Sequence, residues 1–156
     1  MFIKNPEFVD FLENIEYYLS LEPDFVDMGE SYPTAVIGDG EHKKITLYFN
    51  HESEIEEARA KWDKRRKRVN YENMYIMMYN LDGLTQDDIK RVEQLPKEKF
   101  RNKVLFTHTP LSDVDWSCYI EPVLTDNYPY AYLQKNLFGI RRVERHFDLI
   151  KFLNTR

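Results

Sequence analysis

Two histidines and one aspartate stand just past three short apolar runs, at residues 45–49, 75–79 and 104–106. His51 follows the first run, Asp82 the second and His108 the third. An imidazole changes charge near neutral pH, so His51 and His108 are candidates for acid and base, with Asp82 orienting one of them or accepting a proton. Asn50, Asn80 and Thr107 stand beside them and would offer hydrogen bonds to a sugar or a phosphate. The competing use is ordinary, because Asn, Asp and Thr are also the residues that cap turns and helices. What raises these six above that use is where the chain places them.

The elements between the runs decide that placement. Residues 53–69 read as one helix and residues 85–95 as another, so the block from 44 to 109 reads strand, helix, strand, helix, strand. Ser53 and Glu56 have the spacing of a capping box, and Thr85 and Asp88 repeat it. Ile55, Ala58, Trp62 and Val69 form the expected core stripe of the first helix. Strand–helix–strand crossovers between neighbours are parallel and almost always right-handed. Two of them in one sheet would bring all three polar strand ends to one edge, where open α/β sheets bind ligands.

Around this block, residues 34–37 and 45–49 read as a hairpin through Gly38-Asp39-Gly40, which makes the sheet mixed. Asn5 and Pro6 open an amphipathic helix with Phe8, Leu12, Ile15 and Leu19 on its apolar face. The second strand, residues 74–79, is apolar on both faces, as a central strand would be. Residues 97–103 read as a charged loop, 116–120 as a fourth or edge strand and 124–132 as irregular. A last helix is expected over 143–153, with Val143, Phe147, Ile150 and Leu153 on one face. The expected fold is α/β: a single domain over 1–156, a mixed sheet with a central βαβαβ unit, and flanking helices.

Other groups could also do chemistry. Arginine pairs bidentately with phosphate, so Arg65 or Arg66 would suit a nucleotide-sugar diphosphate if either turned toward the strand edge. The basic run 64–68 also balances the acidic start of its own helix, which is the use such runs commonly have. Aromatic residues that could stack bases are missing from it, which argues against nucleic acid. Asp113 and Asp115 flank one residue, yet a hard cation needs six or so oxygens and no further ligands are apparent, so no metal site is assigned. Cys118 falls inside a strand and reads as a small buried hydrophobe. The cluster Arg141, Arg142, Arg145 and His146 would bind an anion or coat the last helix. No phosphate-binding glycine loop, dinucleotide fingerprint or paired-cysteine site is present, and no cofactor is identified.

Bulk composition bounds the rest. At 156 residues with a formal charge of −5, the chain can bury a core and has no global attraction for nucleic acid or anionic lipid. A single cysteine excludes an internal disulfide. No signal peptide or membrane span is read, and a cytoplasmic location is expected.

Several stretches together resemble a known family. Phe2-Ile3 running into 6–19 resembles its first helix. The stretch 58–70, with Trp62, Arg65, Arg66 and Asn70, followed by Asp82-Gly83 and 103–107, resembles its central block. Phe147-Asp148-Leu149-Ile150-Lys151-Phe152-Leu153-Asn154 resembles its terminal helix. The family is a bacterial one of unknown function whose members are commonly described as exopolysaccharide biosynthesis proteins. Its members usually begin with an extra strand and loop that this sequence lacks. The resemblance implies a role in exopolysaccharide or capsule biosynthesis, as a transferase on an activated sugar or glycan. The alternative is a non-catalytic interaction module that binds a protein partner of a glycan-assembly system. No family mechanism assigns a reaction, so whether the chain is an enzyme stays open at this point.

Overall fold

The computed structural model describes residues 1–80, 83–121, 141 and 143–154. Its class is α/β, as expected, and the chain divides into two compact units. Unit 1 holds Met1–Asn70 and Leu84–Leu95; unit 2 holds Tyr71–Gly83 and Pro96–Arg156.

Unit 1 begins with α1 (Asn5–Glu13) and α2 (Ile15–Ser20), the expected first helix broken at Asn14. Asn5 is already helical and Lys4 is the N-cap, so Pro6 lies within the first turn, where its missing N–H costs nothing. Val9, Leu12, Ile15, Tyr18 and Leu19 are buried along the inner face. Three strands follow: β1 (Asp24–Val26), β2 (Thr34–Ile37) and β3 (Ile45–Tyr48), all antiparallel in the order β1-β2-β3. The β2–β3 hairpin pairs Ile37 with Ile45. At its turn Gly38 has φ +126°, and a Cβ there would sit 3.1 Å from the Lys43 carbonyl oxygen, so only glycine fits.

Helix α3 (Ile55–Arg66) buries Ala58 and Trp62, and the Trp62 indole N–H donates to the Leu21 carbonyl at 3.3 Å. The expected Ser53 cap is not formed. Glu54 is the N-cap, without a side-chain bond, because the helix begins one residue later than the box requires. Ile55 is consequently exposed. The second box is present: in α4 (Gln86–Glu93) the Thr85 hydroxyl accepts from the Asp88 N–H, and Asp88 Oδ2 accepts from the Thr85 N–H. Arg91 of α4 donates to Asp10 and Glu13 of α1, tying the two helices together.

Unit 2 is built on a parallel sheet, β4 (Met74–Tyr79), β5 (Phe100–Thr107) and β6 (Ser117–Tyr119), in the order β4-β5-β6. Among the described strands the central one is therefore β5 and not residues 74–79. Strand β5 also begins at Phe100, inside the stretch expected as a loop, because Phe100 is buried while Arg101 is exposed. Val104, Phe106, Ile120 and Phe152 form a core, with Tyr75, Tyr79, Cys118, Val143 and Phe147 packed on it.

The expected last helix is a 3-10 turn (Val143–Arg145) followed by α5 (Leu149–Asn154). Asp148 caps α5 by accepting from the Lys151 N–H at 2.9 Å. This restart rotates the frame, so Phe152 is buried while Ile150 is 75% exposed. Residues 124–132, expected to be irregular, lie outside the described residues.

The pairing corrects the expectation of a single mixed sheet to one antiparallel and one parallel sheet among the described residues. The reason lies at β3. One side of β3 pairs with β2, and on the other side Phe2 and Tyr48 exchange two backbone hydrogen bonds, at 2.8 and 3.0 Å. The segment before α1 therefore occupies the outer side of β3 at Tyr48.

Candidate functional site

In unit 2 the parallel pairing sets the geometry. Tyr79 of β4 lies opposite Phe106 of β5, and the Asn80 N–H donates to the Phe106 carbonyl at 2.9 Å. Asn80 therefore sits beside Thr107 and His108, at adjacent C-terminal strand ends. Strand β6 ends at the same edge, since Thr107 pairs with Tyr119. This is the part of the expected strand-end cluster that the fold brings together.

Each residue there has a defined state. Thr107 is buried, and its hydroxyl accepts from the Thr109 N–H at 3.1 Å and donates to the Thr109 carbonyl at 2.9 Å. Its side chain thus shapes the turn after β5. His108 is half-buried, and its Nδ1 lies 2.6 Å from the Ile120 carbonyl oxygen. A carbonyl can only accept, so Nδ1 carries the proton, and in the neutral ring the lone pair resides on Nε2. The strand end of β6 thereby selects the tautomer of a histidine on β5. Nearby, burial raises the Tyr79 phenol above its ordinary range, so it is a neutral hydroxyl near neutral pH.

Asp82 lies outside the described residues. Asn50 and His51 belong to unit 1, in the turn after β3, and not to the parallel sheet. The His51 side chain is exposed, while Asn50 Oδ1 is buried with no hydrogen-bond partner.

The two arginines differ. Arg66 donates to Asp63 and to Glu22, and its Nη1 reaches the Leu19 and Ser20 carbonyls at 3.3 and 3.4 Å. It closes the C-terminal end of α2 against α3. Arg65 instead lies 3.9 Å from Glu52, which also pairs with Lys61 at 2.9 Å. Burial disfavours the Glu52 carboxylate, but nearby charge and hydrogen bonding, led by the Lys61 ammonium and including the His51 backbone N–H, together outweigh it and hold the group below the usual carboxylate range. The sequence treats Glu52 as one of several acids opening a helix. Only its burial distinguishes it, and no pattern of types or spacing announces that.

Among the other candidates, Asp113 and Asp115 are exposed in turns, and Asp113 accepts from the Ser112 hydroxyl. No group of three or more His, Cys, Asp or Glu side chains suited to a metal ion occurs among the described residues. Cys118 is half-buried on β6, and burial pushes its thiol up, away from the nucleophilic form. Arg141 and Glu144 close the 3-10 turn through an N–H to carboxylate bond of 2.9 Å.

Comparison with known sequences adds two findings. The sequence model of a domain of unknown function, DUF1919, matches residues 1–154. An uncharacterised protein of Haemophilus influenzae (strain ATCC 51907 / DSM 11121 / KW20 / Rd) is 31% identical over 154 residues, which are 99% of this chain and 71% of that protein.

Proposed function

The chain belongs to the DUF1919 family, and from that premise we propose that it acts in exopolysaccharide or capsule biosynthesis, as a transferase on an activated sugar or glycan. The observation that carries this reading is the edge of the parallel sheet in unit 2. There Asn80 and His108 stand at adjacent strand ends, where α/β folds bind ligands, with His108 held in one tautomer. In this reading His108 Nε2 takes the proton of an acceptor hydroxyl as that oxygen attacks the activated sugar carbon, while the bond from that carbon to the nucleoside-diphosphate leaving group breaks and the diphosphate departs with the electron pair. Asn80 hydrogen-bonds the sugar hydroxyls, and Asp82 assists the proton transfer. No helix among the described residues is long and apolar enough to cross a membrane, and the reading places the reaction in the cytoplasm.

The test is a thermal-shift screen of nucleotide-sugars and glycan fragments, followed by turnover assays on any hit. A nucleotide-sugar should stabilise the protein. His108→Ala should lower turnover at least about a hundredfold, the lower bound for a lost general base. No hit among these compounds overturns the reading.

A non-catalytic interaction module is the second reading. It is favoured by the exposure of Leu149, Ile150 and Leu153 on one short helix, since exposed apolar side chains in a group suit a protein partner. Substitutions separate the two. If His51, Asp82 and His108 can be replaced without loss of function while changes at Arg65 and Arg66 abolish partner association, the transferase reading fails.

A further inference from the structure

Two acidic residues are buried among the described residues, Asp88 and Glu52. Asp88 completes the cap of α4. Glu52 caps nothing, because Glu54 is the N-cap of α3. Its side chain is fully shielded from water, and the Lys61 ammonium and the His51 backbone N–H are the donors that answer its charge. Two residues earlier, Asn50 Oδ1 is buried without a donor. A carboxylate withdrawn from water stays ionised only where cations are held against it.

Two side-chain cations answer it from one flank of α3, one turn apart. The Lys61 ammonium lies 2.9 Å from Glu52 Oε1 and the Arg65 guanidinium 3.9 Å from the same oxygen, and each cation's side chain is 45% exposed. A simple ion pair would need only one of them. The second lies beyond hydrogen-bond reach of the carboxylate, so its planar fork of donors is not consumed there. Arg66, its neighbour, differs in this respect, since Asp63, Glu22 and two carbonyls occupy its guanidinium. The trio carries a formal charge of +1, with the negative group inside and both positive groups facing water.

We propose that Lys61 and Arg65 form a receptor for a phosphoryl oxyanion on unit 1, and that Glu52 is the positioning residue that holds both cations toward one point. An arginine fork beside a lysine point charge is the combination that binds phosphate oxygens in two directions at once. The proposal goes beyond the glycan reading and does not depend on it, since it concerns a different unit and needs no sugar.

The probe is inorganic pyrophosphate, titrated into the full chain at fixed ionic strength and followed by calorimetry and by the Arg side-chain Nε–H resonances. Saturable binding is expected, with the Arg65 resonance shifting. Lys61→Gln and Arg65→Gln should each weaken it about tenfold, while Lys64→Gln, which removes the same charge from an exposed position on the same helix, should change it less than about twofold. Glu52→Gln provides the sharper test. Removing a negative charge should tighten anion binding if only net charge matters, whereas loss of positioning should weaken it severalfold. Tighter binding by Glu52→Gln, equal binding by Lys64→Gln and Arg65→Gln, or equal binding of acetate would overturn the proposal, as would no binding at all. Should Glu52→Gln fail to fold, the comparison of Lys61→Gln and Arg65→Gln with Lys64→Gln decides it. A negative result here leaves the His108→Ala turnover test untouched, and because a nucleotide-sugar carries a diphosphate, its stabilisation of the Lys61→Gln and Arg65→Gln variants tells the strand edge from this receptor.

Discussion

Arg66 donates to Asp63, to Glu22 and to the last carbonyls of α2, so its removal should leave acceptors unpaired at the junction of α2 and α3. Arg66→Ala should therefore destabilise the protein by about 1–2 kcal/mol in urea unfolding, and the exposed Lys64→Ala by less than ~0.5 kcal/mol. Acid should act through Asp88 and Glu52. Burial opposes ionisation of Asp88, but the Thr85 hydroxyl and N–H together with the Arg91 guanidinium outweigh it and hold the carboxyl below its usual range. Both groups have depressed values in the folded state, so their stabilisation is complete above the unfolded carboxylate range. It is lost as pH falls through the lower folded values. Asp88→Asn should flatten the fall in melting temperature below about pH 4, measured against the parent chain. Neither the Arg66 contacts nor the burial of Glu52 is legible in residue type. Local spacing reveals partners three or four positions away on a helix, whereas Glu22 and the α2 carbonyls lie 44 to 47 positions from Arg66. Within the basic run 64–68, nothing distinguishes the one side chain that reaches them.

At the scale of elements, apolar periodicity located every strand of the central block but not the strands' neighbours. Residues 74–79 are apolar on both faces and still form the edge of their described sheet, whereas β5 is central despite Arg101 and Lys103. A strand's position is a property of its partners, and an alternating apolar pattern reports only which faces are covered. The last helix makes the same point. Its apolar residues fit one continuous helix by spacing, but Asp148 caps a new start and shifts which of them point inward. Phe152→Ala should cost about 3–5 kcal/mol in chemical unfolding, as expected for an aromatic in a packed core. Ile150→Ser, at a position the unbroken helix would have buried, should change stability by less than ~0.5 kcal/mol.

On the scale of the whole molecule, unit 1 is assembled from two stretches of chain, with α4 arriving from beyond β4. Arg91 on α4 donates to both Glu13 and Asp10, and the two carboxylates raise the guanidinium above its already high ordinary value. Ile89 and Val92 of α4 are also buried. A fragment of residues 1–70 should therefore lack a cooperative thermal transition by circular dichroism, while one of residues 1–95 should recover helix content beyond that of the added residues. A fully cooperative transition in the shorter fragment would show that α4 is dispensable to unit 1.

The α/β class, the hairpin at Gly38, the Thr85 cap and the polar ends of the strands were all determined by the sequence, because each depends on residues close together in the chain. Tertiary structure decided the rest. It placed Phe2 against Tyr48, gave β3 to an antiparallel sheet and left Asn80 beside Thr107 and His108 at the edge of a parallel one. It turned the Ile120 carbonyl toward His108 and buried Glu52 beneath Lys61 and Arg65. Backbone hydrogen bonding between strands and the burial of a charge are long-range outcomes. They are set by which surfaces compete for the same partner, and that competition is settled only when the chain has folded.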